Sequence, residues 1–242
     1  MNTVKTNINN LTNLWAMAGK PFTGFATDNV ISYSLINHSE WPNKIWSNQD
    51  LTIEIVKSIR DFIQHSDLKI RFATFEHSDT NHDDLIEDFG FKLTSALPGM
   101  SLKLSQSFPQ PTRLEFTMVT SETEAKIWSQ TFKNSFGYLI SKDTVLKTMP
   151  SIKYYLAFDN KEPVGTIILH QTNRVAGIHS LGVPTNSRGK GYAKEIMHYI
   201  LNEAMRSDAE YATLQASKMA KGMYEQLGFT VDFTMKNYEL KN

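Results

Sequence analysis

The segment that most constrains the fold lies between residues 181 and 193, where an apolar strand runs through a turn into a long helix. The turn alternates two cations with two glycines, in the order Arg188-Gly189-Lys190-Gly191. In the first turn of any helix four backbone N–H groups lack an intrahelical partner, and the macrodipole leaves about half a positive charge there. Because glycine has no Cβ, this backbone can curl around an anion and approach it closely. The segment therefore predicts a strand, turn and helix that hold a diphosphate.

Two common phosphate-binding turns are absent. The sequence has no G-x-x-x-x-G-K-[ST] run, and no G-x-G-x-x-G opens a βαβ unit with an acidic residue about 20 positions later. The turn therefore indicates a narrower class of nucleotide ligand.

Two motifs in this part of the chain resemble the GCN5-related N-acetyltransferase (GNAT) family. The run R-x-x-G-x-A at 188–193, which follows the strand at 178–183, is similar to the family's acyl-CoA loop, Q/R-x-x-G-x-G/A. The run Y-x-x-x-G-F at 224–229 is similar to the end of the family's next helix. Both motifs stand in the family's order and at its usual separation. The departure is Ser217, where the family often has asparagine, and it weakens the implied side-chain contact to pantetheine.

The resemblance implies an α/β fold with a mixed sheet, acetyl-CoA as cosubstrate and a set of residues that contact it. These residues are Leu181, Gly182, Val183, Arg188, Gly189, Lys190, Gly191, Tyr192, Ala193 and Ser217. The resemblance further implies that a main-chain N–H at or near Val183 points at the thioester oxygen.

The resemblance also supplies two catalytic candidates. In many GNAT enzymes a tyrosine at the place of Tyr224 donates a proton to the departing thiolate, and a phenol with a pKa of about 10 suits a thiol near 8.5. Arylalkylamine-type members have a histidine at the place of His179, whose ordinary pKa of about 6.5 suits removal of a proton from an ammonium through water. Because side chains alternate along a strand, either His179 or Ser180 is expected to face the acceptor cleft. His170 and Glu115 are weaker candidates for the base.

The acceptor region of such a fold lies between its first two helices, here residues 132–140. Aromatic residues with one glycine in this region predict an adjustable pocket wall that suits an aromatic or apolar amine. The same residues could equally belong to the core.

Composition narrows the function classes. The formal net charge of the 242 residues is zero and the pI is about 7.1, so nucleic acid and anionic membranes are not the expected partners. The chain has no cysteine, which excludes disulfides, thiolate metal sites and a cysteine nucleophile. No apolar signal region or membrane-length run occurs, and we expect a cytoplasmic protein. The histidines show no metal-ligand spacing, and the acidic loop at 77–84 reads as a solvated turn, so no metal is expected.

The chain divides at a polar stretch with two prolines. We expect an N-terminal α/β domain at 1–105, a linker at 106–112 and the GNAT domain at 113–242. After the linker, alternating apolar residues predict a strand, Ser121 and Glu124 predict a capping box that opens a helix, and later apolar runs predict a hairpin and a third strand. The expected order is β-α-α-β-β-β-α-β-α-β-β.

The first half contains an echo of the second. Gly90-Phe91 and Gly228-Phe229 each follow a helix and precede alternating apolar residues, at an offset of 228 − 90 = 138 positions. We interpret residues 1–105 as a degenerate GNAT-like copy, with an unrelated small α/β domain as the alternative. Its expected phosphate turn, residues 40–47, has no glycine, so this half is not expected to bind CoA as the other half does.

The sequence therefore predicts an enzyme that transfers an acetyl group from acetyl-CoA directly to a primary amine of a small molecule. The first half is expected to cover one side of the acceptor cleft. A non-catalytic acyl-CoA-binding regulatory module, a peptide or protein N-acetyltransferase and a transferase of longer acyl chains remain as alternatives. Nothing in the sequence indicates the oligomeric state.

Overall fold

A computed structural model of the chain describes residues 2–77 and 81–241. Its helices are α1 Thr3–Gly19, α2 Ile53–Gln64, α3 Asp83–Asp88, α4 Glu122–Phe136, α5 Lys142–Thr148, α6 Tyr192–Arg206 and α7 Lys221–Gln226. Its strands are β1 Phe25–Thr27, β2 Ile31–Ser34, β3 Lys44–Ser47, β4 Arg71–Glu76, β5 Phe91–Lys103, β6 Glu115–Met118, β7 Lys153–Asp159, β8 Glu162–Thr172, β9 Val175–Gly182, β10 Tyr211–Gln215 and β11 Thr230–Leu240.

All of these strands form one mixed sheet in the order β1-β2-β3-β4-β11-β5-β10-β9-β8-β7-β6. The two halves of the chain exchange strands at its centre. β5, from the first half, lies between β10 and β11 of the second half, while β11 lies between β5 and β4. The α/β class with a mixed sheet is therefore confirmed.

The strand exchange corrects one detail of the expected order. The sequence predicts two strands after the last helix, but among the described residues only β11 follows α7. The other position beside β10 is taken by β5, which pairs with it from Tyr211↔Lys103 to Gln215↔Gly99. A strand edge needs partners for its N–H and C=O groups, and β5 supplies them from the other half of the chain.

The two halves share a core arrangement of strand, helix and parallel strand. β3 and β4 are parallel and are joined by α2, as β9 and β10 are parallel and joined by α6. The helices α3 and α7 are each followed, two residues after their last residue, by a glycine with positive φ, Gly90 at +84° and Gly228 at +94°. The first half is therefore a GNAT-like copy of the second, as the echo predicts.

The predicted phosphate turn of the first half was wrongly placed. Residues 40–43 precede β3, and the turn that joins β3 to α2 is 48–52. This turn also has no glycine, so the physical argument against close wrapping of a pyrophosphate applies to it as well.

Helices cover both faces of the sheet. Along β7, Tyr154 and Leu156 pack with α1, α4 and α5, whereas Tyr155 and Ala157 pack with α6 and α7. Over the first half, α2 and α3 lie on one face, where they pack on Phe72 among others, and α1 lies on the other. Because successive side chains of each strand point to opposite faces of the sheet, the strands contribute to two apolar layers.

Two local predictions for the second half are confirmed. Helix α4 begins at Ser121 with a reciprocal capping box to Glu124, and β7 and β8 form the predicted hairpin through Asn160 and Lys161, both with positive φ. Helix α1, by contrast, was not predicted. Its signal is Asn2, whose side chain caps the helix, followed by apolar residues at helical spacing, Ile8, Leu11, Trp15 and Ala18 among them.

Candidate active site

The site lies where β9 and β10 separate. Their parallel pairing covers only Tyr211↔Val175, Ala212↔Ala176 and Thr213↔Gly177. β9 runs on to Gly182 and β10 to Gln215, so the ends of the two strands enclose a cleft instead of a ladder.

A β-bulge in β9 shapes one wall of this cleft. Thr166 pairs with Gly182 and Ile168 with His179, so β9 carries one extra residue there, and Ser180 has a φ of +54°. The bulge reverses the alternation, because Ile178 and then Leu181 and Val183 face the α6 side. The expectation that strict alternation would choose between His179 and Ser180 did not allow for this bulge.

Two features of the cleft wall follow from the bulge. Among the described residues nothing accepts a hydrogen bond from the Val183 N–H, which leaves it available to a ligand oxygen. Gly182 meets the end of α4 closely: a Cβ there would lie 2.5 Å from Cε2 of Phe136 and 2.8 Å from Cβ of Ser135. The glycine is required because the helix crosses the strand at this point.

The turn between β9 and α6 carries a row of unused donors. The N–H groups of the five residues from Gly189 to Ala193 donate to no acceptor in the part of the chain that the structure describes. Gly189 and Gly191 have φ of +77° and +84°, and Gly191 is the N-cap of α6. Successive N–H groups in such a turn, at a helix N-terminus, form a concave site for an anion.

The two cations of the turn have different surroundings. Arg188 is directed back into the protein, where its Nε donates to the Val183 carbonyl at 3.1 Å and its Nη2 to the Ser135 carbonyl at 2.8 Å. It therefore ties the turn to the end of α4. Lys190 is exposed, and its side chain is the cation available to a ligand.

A residue that the sequence reasoning missed, Arg113, holds this turn from the other side. Its Nη2 donates to the Lys190 carbonyl at 2.8 Å and to the Glu195 carboxylate, and its guanidinium lies 4.4 Å from the ring centroid of Tyr192. Tyr192 itself is buried and its hydroxyl donates to Asp159, so only its backbone belongs to the turn. Arg113 has no local sequence signal, because the contact spans 77 positions.

Tyr224 lies on α7 with its ring buried. The ring packs edge-on against Phe229, with 5.8 Å between centroids. The hydroxyl has no hydrogen-bond partner among the described residues, yet it is not one of the buried unpaired atoms, so it reaches solvent-accessible space. Burial raises the pKa of this phenol well above its usual value. Tyr224 is therefore protonated at neutral pH, and no residue in the described ranges accepts its hydroxyl proton.

His179 lies on the face of the sheet that α1 covers. Its Nε2 is 3.3 Å from Oδ1 of Asn10, a residue of α1. Burial lowers the pKa of His179 to about 3; nearby His170 lowers this pKa further, and a hydrogen bond with Gln215 opposes the shift. His170, the alternative base, is bonded to Asn13 at 2.8 Å, and burial lowers its pKa to about 4. Both imidazoles are neutral at pH 7.

Ser217 follows β10 at the mouth of the cleft. Helix α7 begins later, at Lys221, with Ala220 as its N-cap. The Ser217 hydroxyl instead accepts from the Ala220 N–H at 3.3 Å, within the turn that precedes the helix. Its side chain is exposed beside the cleft.

The first half contacts the expected acceptor region. The Glu40 N–H donates to the Leu139 carbonyl at 2.8 Å, and the Leu139 N–H donates to Oε2 of Glu40 at 2.7 Å. Nearby, Phe136 is 41% exposed, so one aromatic of this region is available to a ligand, whereas Phe132 is buried in the core.

The corresponding turn of the first half differs chemically. A groove of about 460 Å³ opens between it and the start of α1. One donor of the turn and one in the first turn of α2 are occupied: the Asn48 N–H by the Val30 carbonyl at 2.8 Å, and the Ile55 N–H by Oγ1 of Thr52 at 3.4 Å. Asp50 lines the groove and repels phosphate.

The described residues contain no group of three or more histidine, aspartate or glutamate side chains placed to hold a metal. Asp79 of the acidic loop lies outside them. No helix in the described ranges is long and apolar enough to cross a membrane.

Comparison with known proteins identifies the family. The profile of the acetyltransferase (GNAT) domain matches residues 118–239. A search among curated proteins found no match.

Solved structures share the fold over nearly the whole chain. A GCN5-related N-acetyltransferase from Kribbella flavida has a TM-score of 0.70 at 14% identity, over 94% of this chain and 95% of its own. A functionally unknown conserved protein from Staphylococcus epidermidis has a TM-score of 0.67 at 16% identity, over 90% and 93%. A tandem GNAT protein from the clavulanic acid biosynthesis pathway has a TM-score of 0.58 at 11% identity, over 97% and 94%. At these identities the likeness concerns the fold.

Proposed function

This chain belongs to the GNAT acetyltransferase family, and on that premise we propose that it transfers an acetyl group from acetyl-CoA directly to a primary amine of a small molecule. One observation carries the proposal: the N–H groups of the five residues from Gly189 to Ala193 have no acceptor within residues 2–77 and 81–241, and they lie beside the cleft between β9 and β10. A row of donors at a helix N-terminus suits a pyrophosphate.

Acetyl-CoA binds mainly through the main chain. The N–H groups of 189–193 receive the pyrophosphate, and Lys190 adds a mobile positive charge. Pantetheine follows the end of β9 at Leu181 and Val183, past the exposed side chain of Ser217. The Val183 N–H, which has no partner in the described chain, donates to the thioester oxygen. That donor stabilises the negative charge that develops on this oxygen during attack.

The transfer requires two proton movements. A C–N bond forms and a C–S bond breaks, so one proton must leave the amine nitrogen and another must reach the sulfur. Tyr224 supplies the second, because its phenol is protonated and no described residue bonds to its hydroxyl. No covalent intermediate forms on the enzyme, and the chain has no cysteine to carry one.

His179 acts as a neutral acceptor. With a pKa of about 3 it is too weak a base to deprotonate an ammonium, in contrast to the expectation from the sequence. The amine must therefore arrive neutral. Once its nitrogen is bonded to the carbonyl carbon it becomes a much stronger acid, and the imidazole can then take the proton.

The contacts between the two halves support a small acceptor. Asn10 of α1 reaches His179, and Glu40 is bonded to Leu139 beside the acceptor region, so residues of the first half approach the cleft at two points. A cleft enclosed in this way favours a small molecule over a segment of a folded protein.

The proposal is tested by calorimetry with acetyl-CoA and by thiol release against aromatic amines, polyamines, aminoglycosides and lysine peptides. Tyr224→Phe should bind acetyl-CoA as the wild type does and lose about 10²-fold in kcat, a typical effect of removing a general acid. Tyr199→Phe, on the neighbouring helix α6 and stacked on Phe116 at 3.8 Å, is the matched control and should retain activity. Binding without turnover on any amine would support the regulatory module, and turnover restricted to lysine peptides would support a peptide acetyltransferase.

A further inference from the structure

Helix α1 presents a row of asparagine side chains to the central strands of the sheet. Asn7 and Asn10 are fully buried, and Asn13 follows at the same spacing of three residues. Asn7 bridges the Met100 carbonyl at 3.0 Å and Nε2 of Gln215 at 2.8 Å. The two buried amides must be oriented by their partners, because an unsatisfied buried polar group costs about 1–3 kcal/mol, whereas Asn13 is exposed.

The orientation of the Asn10 amide is determined by its acceptors. Its Nδ2 lies 2.9 Å from the His170 carbonyl, 2.9 Å from Oγ1 of Thr172 and 3.3 Å from the Val175 carbonyl. Two of these partners are carbonyl oxygens, which cannot donate, so a flipped amide would place oxygen against oxygen. Oδ1 therefore faces His179, and it can only accept a hydrogen bond.

Gly177 makes this contact possible. A Cβ at this position would lie 1.8 Å from Oδ1 of Asn10 and 2.4 Å from Nε2 of His179. The strand thus lacks a side chain at the point where the amide and the imidazole meet.

We infer that Asn10 is a positioning residue that holds His179 in one tautomer, with the proton on Nε2 and the lone pair on Nδ1. Because the Nδ2 group of Asn10 is held by carbonyl oxygens, only its Oδ1 faces Nε2 of His179. This oxygen can only accept a hydrogen bond, so Nε2 carries the hydrogen. The His179 side chain is half-buried and also has a hydrogen bond with the side chain of Gln215, and Nδ1 is the nitrogen that the Asn10 contact leaves for a ligand.

The catalytic role that follows for His179 rests on the proposed function. Nδ1 accepts the N–H of the bound amine and directs its lone pair at the thioester carbon. As the C–N bond forms and the C–S bond breaks, Nδ1 takes the amine proton and the Tyr224 hydroxyl gives its proton to sulfur. A proton then returns from the imidazole to the phenolate through water, which restores both groups. The first half of the chain thus supplies a residue to the catalysis of the second.

The tautomer is measured directly by long-range ¹H–¹⁵N correlation spectra of ¹⁵N-histidine-labelled full-length protein. His179→Gln identifies the resonance. We expect wild-type His179 to show protonation at Nε2 and Asn10→Ala to show a mixture of tautomers. Asn13→Ala, the matched control, should alter His170 and leave His179 unchanged. Protonation at Nδ1 in the wild type would overturn the inference even if Asn10→Ala failed to fold.

Kinetics separate this inference from the proposed function. Asn10→Ala should lower kcat at least 10-fold and leave the Kd for acetyl-CoA unchanged, whereas Asn13→Ala should have a much smaller effect. Equal losses in both variants would count against a positioning role. If the wild type transferred no acetyl group to any amine, the proposed function would fail, while the tautomer in the spectra would still decide the role of Asn10.

Discussion

Replacement of Gly191 by alanine tests the phosphate turn with little steric disturbance. Its φ is +84°, and a Cβ would approach nothing closer than Nη2 of Arg113, at 3.9 Å. An alanine held in the left-handed region costs about 1–2 kcal/mol. Gly137 has a φ of +79° with nothing within 4 Å of an added Cβ, so Gly137→Ala carries the same strain at the end of α4. The two variants should lose similar amounts of folding stability, about 1–2 kcal/mol each.

The two variants should differ in binding. The methyl group of Gly191→Ala projects into open space at the start of α6, where the phosphate is expected to approach the N–H groups of the turn. Loss of one charge-assisted hydrogen bond costs about 1.5–3 kcal/mol, which is a rise of roughly 10- to 150-fold in the Kd for acetyl-CoA. Gly137→Ala should bind acetyl-CoA as the wild type does.

The assays are urea denaturation for stability and calorimetry for the Kd. Gly222→Ala is a second control, because this glycine of α7 has an ordinary φ and open space around it, and alanine there should stabilise the helix by up to about 1 kcal/mol. If Gly191→Ala and Gly137→Ala bound acetyl-CoA equally well, the assignment of the turn to the pyrophosphate would be wrong.

Three further predictions concern the clamp, the buried imidazoles and the strand exchange. Arg113→Ala removes the hydrogen bond to the Lys190 carbonyl and should raise the Kd for acetyl-CoA about 10-fold, which corresponds to a loss of roughly 1.4 kcal/mol of binding free energy. The effect on folding stability should be smaller. An unchanged Kd in calorimetry would contradict the role of Arg113 in holding the turn. Burial lowers the pKa of His170 to about 4 and of His179 to about 3, so below pH 6.5 the unfolded chain binds protons that the native chain does not. Stability should therefore fall on acidification from pH 6.5 to 4, by about 1.4 kcal/mol per pH unit for each histidine, and His179→Gln should flatten the slope in urea titrations. Residues 113–242 expressed alone should be aggregation-prone, because they lack β5 between β10 and β11, and addition of residues 1–112 should restore a soluble complex in gel filtration; a stable monomer without them would contradict the exchange.

Several parts of the structure could be predicted because their signals are local. The capping box at Ser121 and Glu124 and the hairpin through Asn160 and Lys161 depend on residues a few positions apart. The phosphate turn is also local, since its donors and its glycines are neighbours in sequence. Such features can be identified without knowledge of the partner that packs on them.

Other parts depend on contacts between distant residues. The bulge at Ser180 follows from the pairing of β9 with β8, and it decides which side chains of β9 face α1 and which face α6. Arg113 reaches Lys190 across 77 positions, and Asn10 reaches His179 across 169. In neither pair does the local sequence around one residue indicate its distant partner.

The sequence by itself determined the GNAT-like strand, turn and helix, the apolar layers and the echo between the two halves, because hydrophobic period, glycine and capping residues act over one or two turns of chain. The tertiary structure alone decided that β5 enters the sheet of the second half, and that α1 places Asn10 against His179. Several edges could satisfy the hydrogen bonds of a strand, and several strands could accept an amphipathic helix. The choice among them depends on how the whole chain packs into a single sheet.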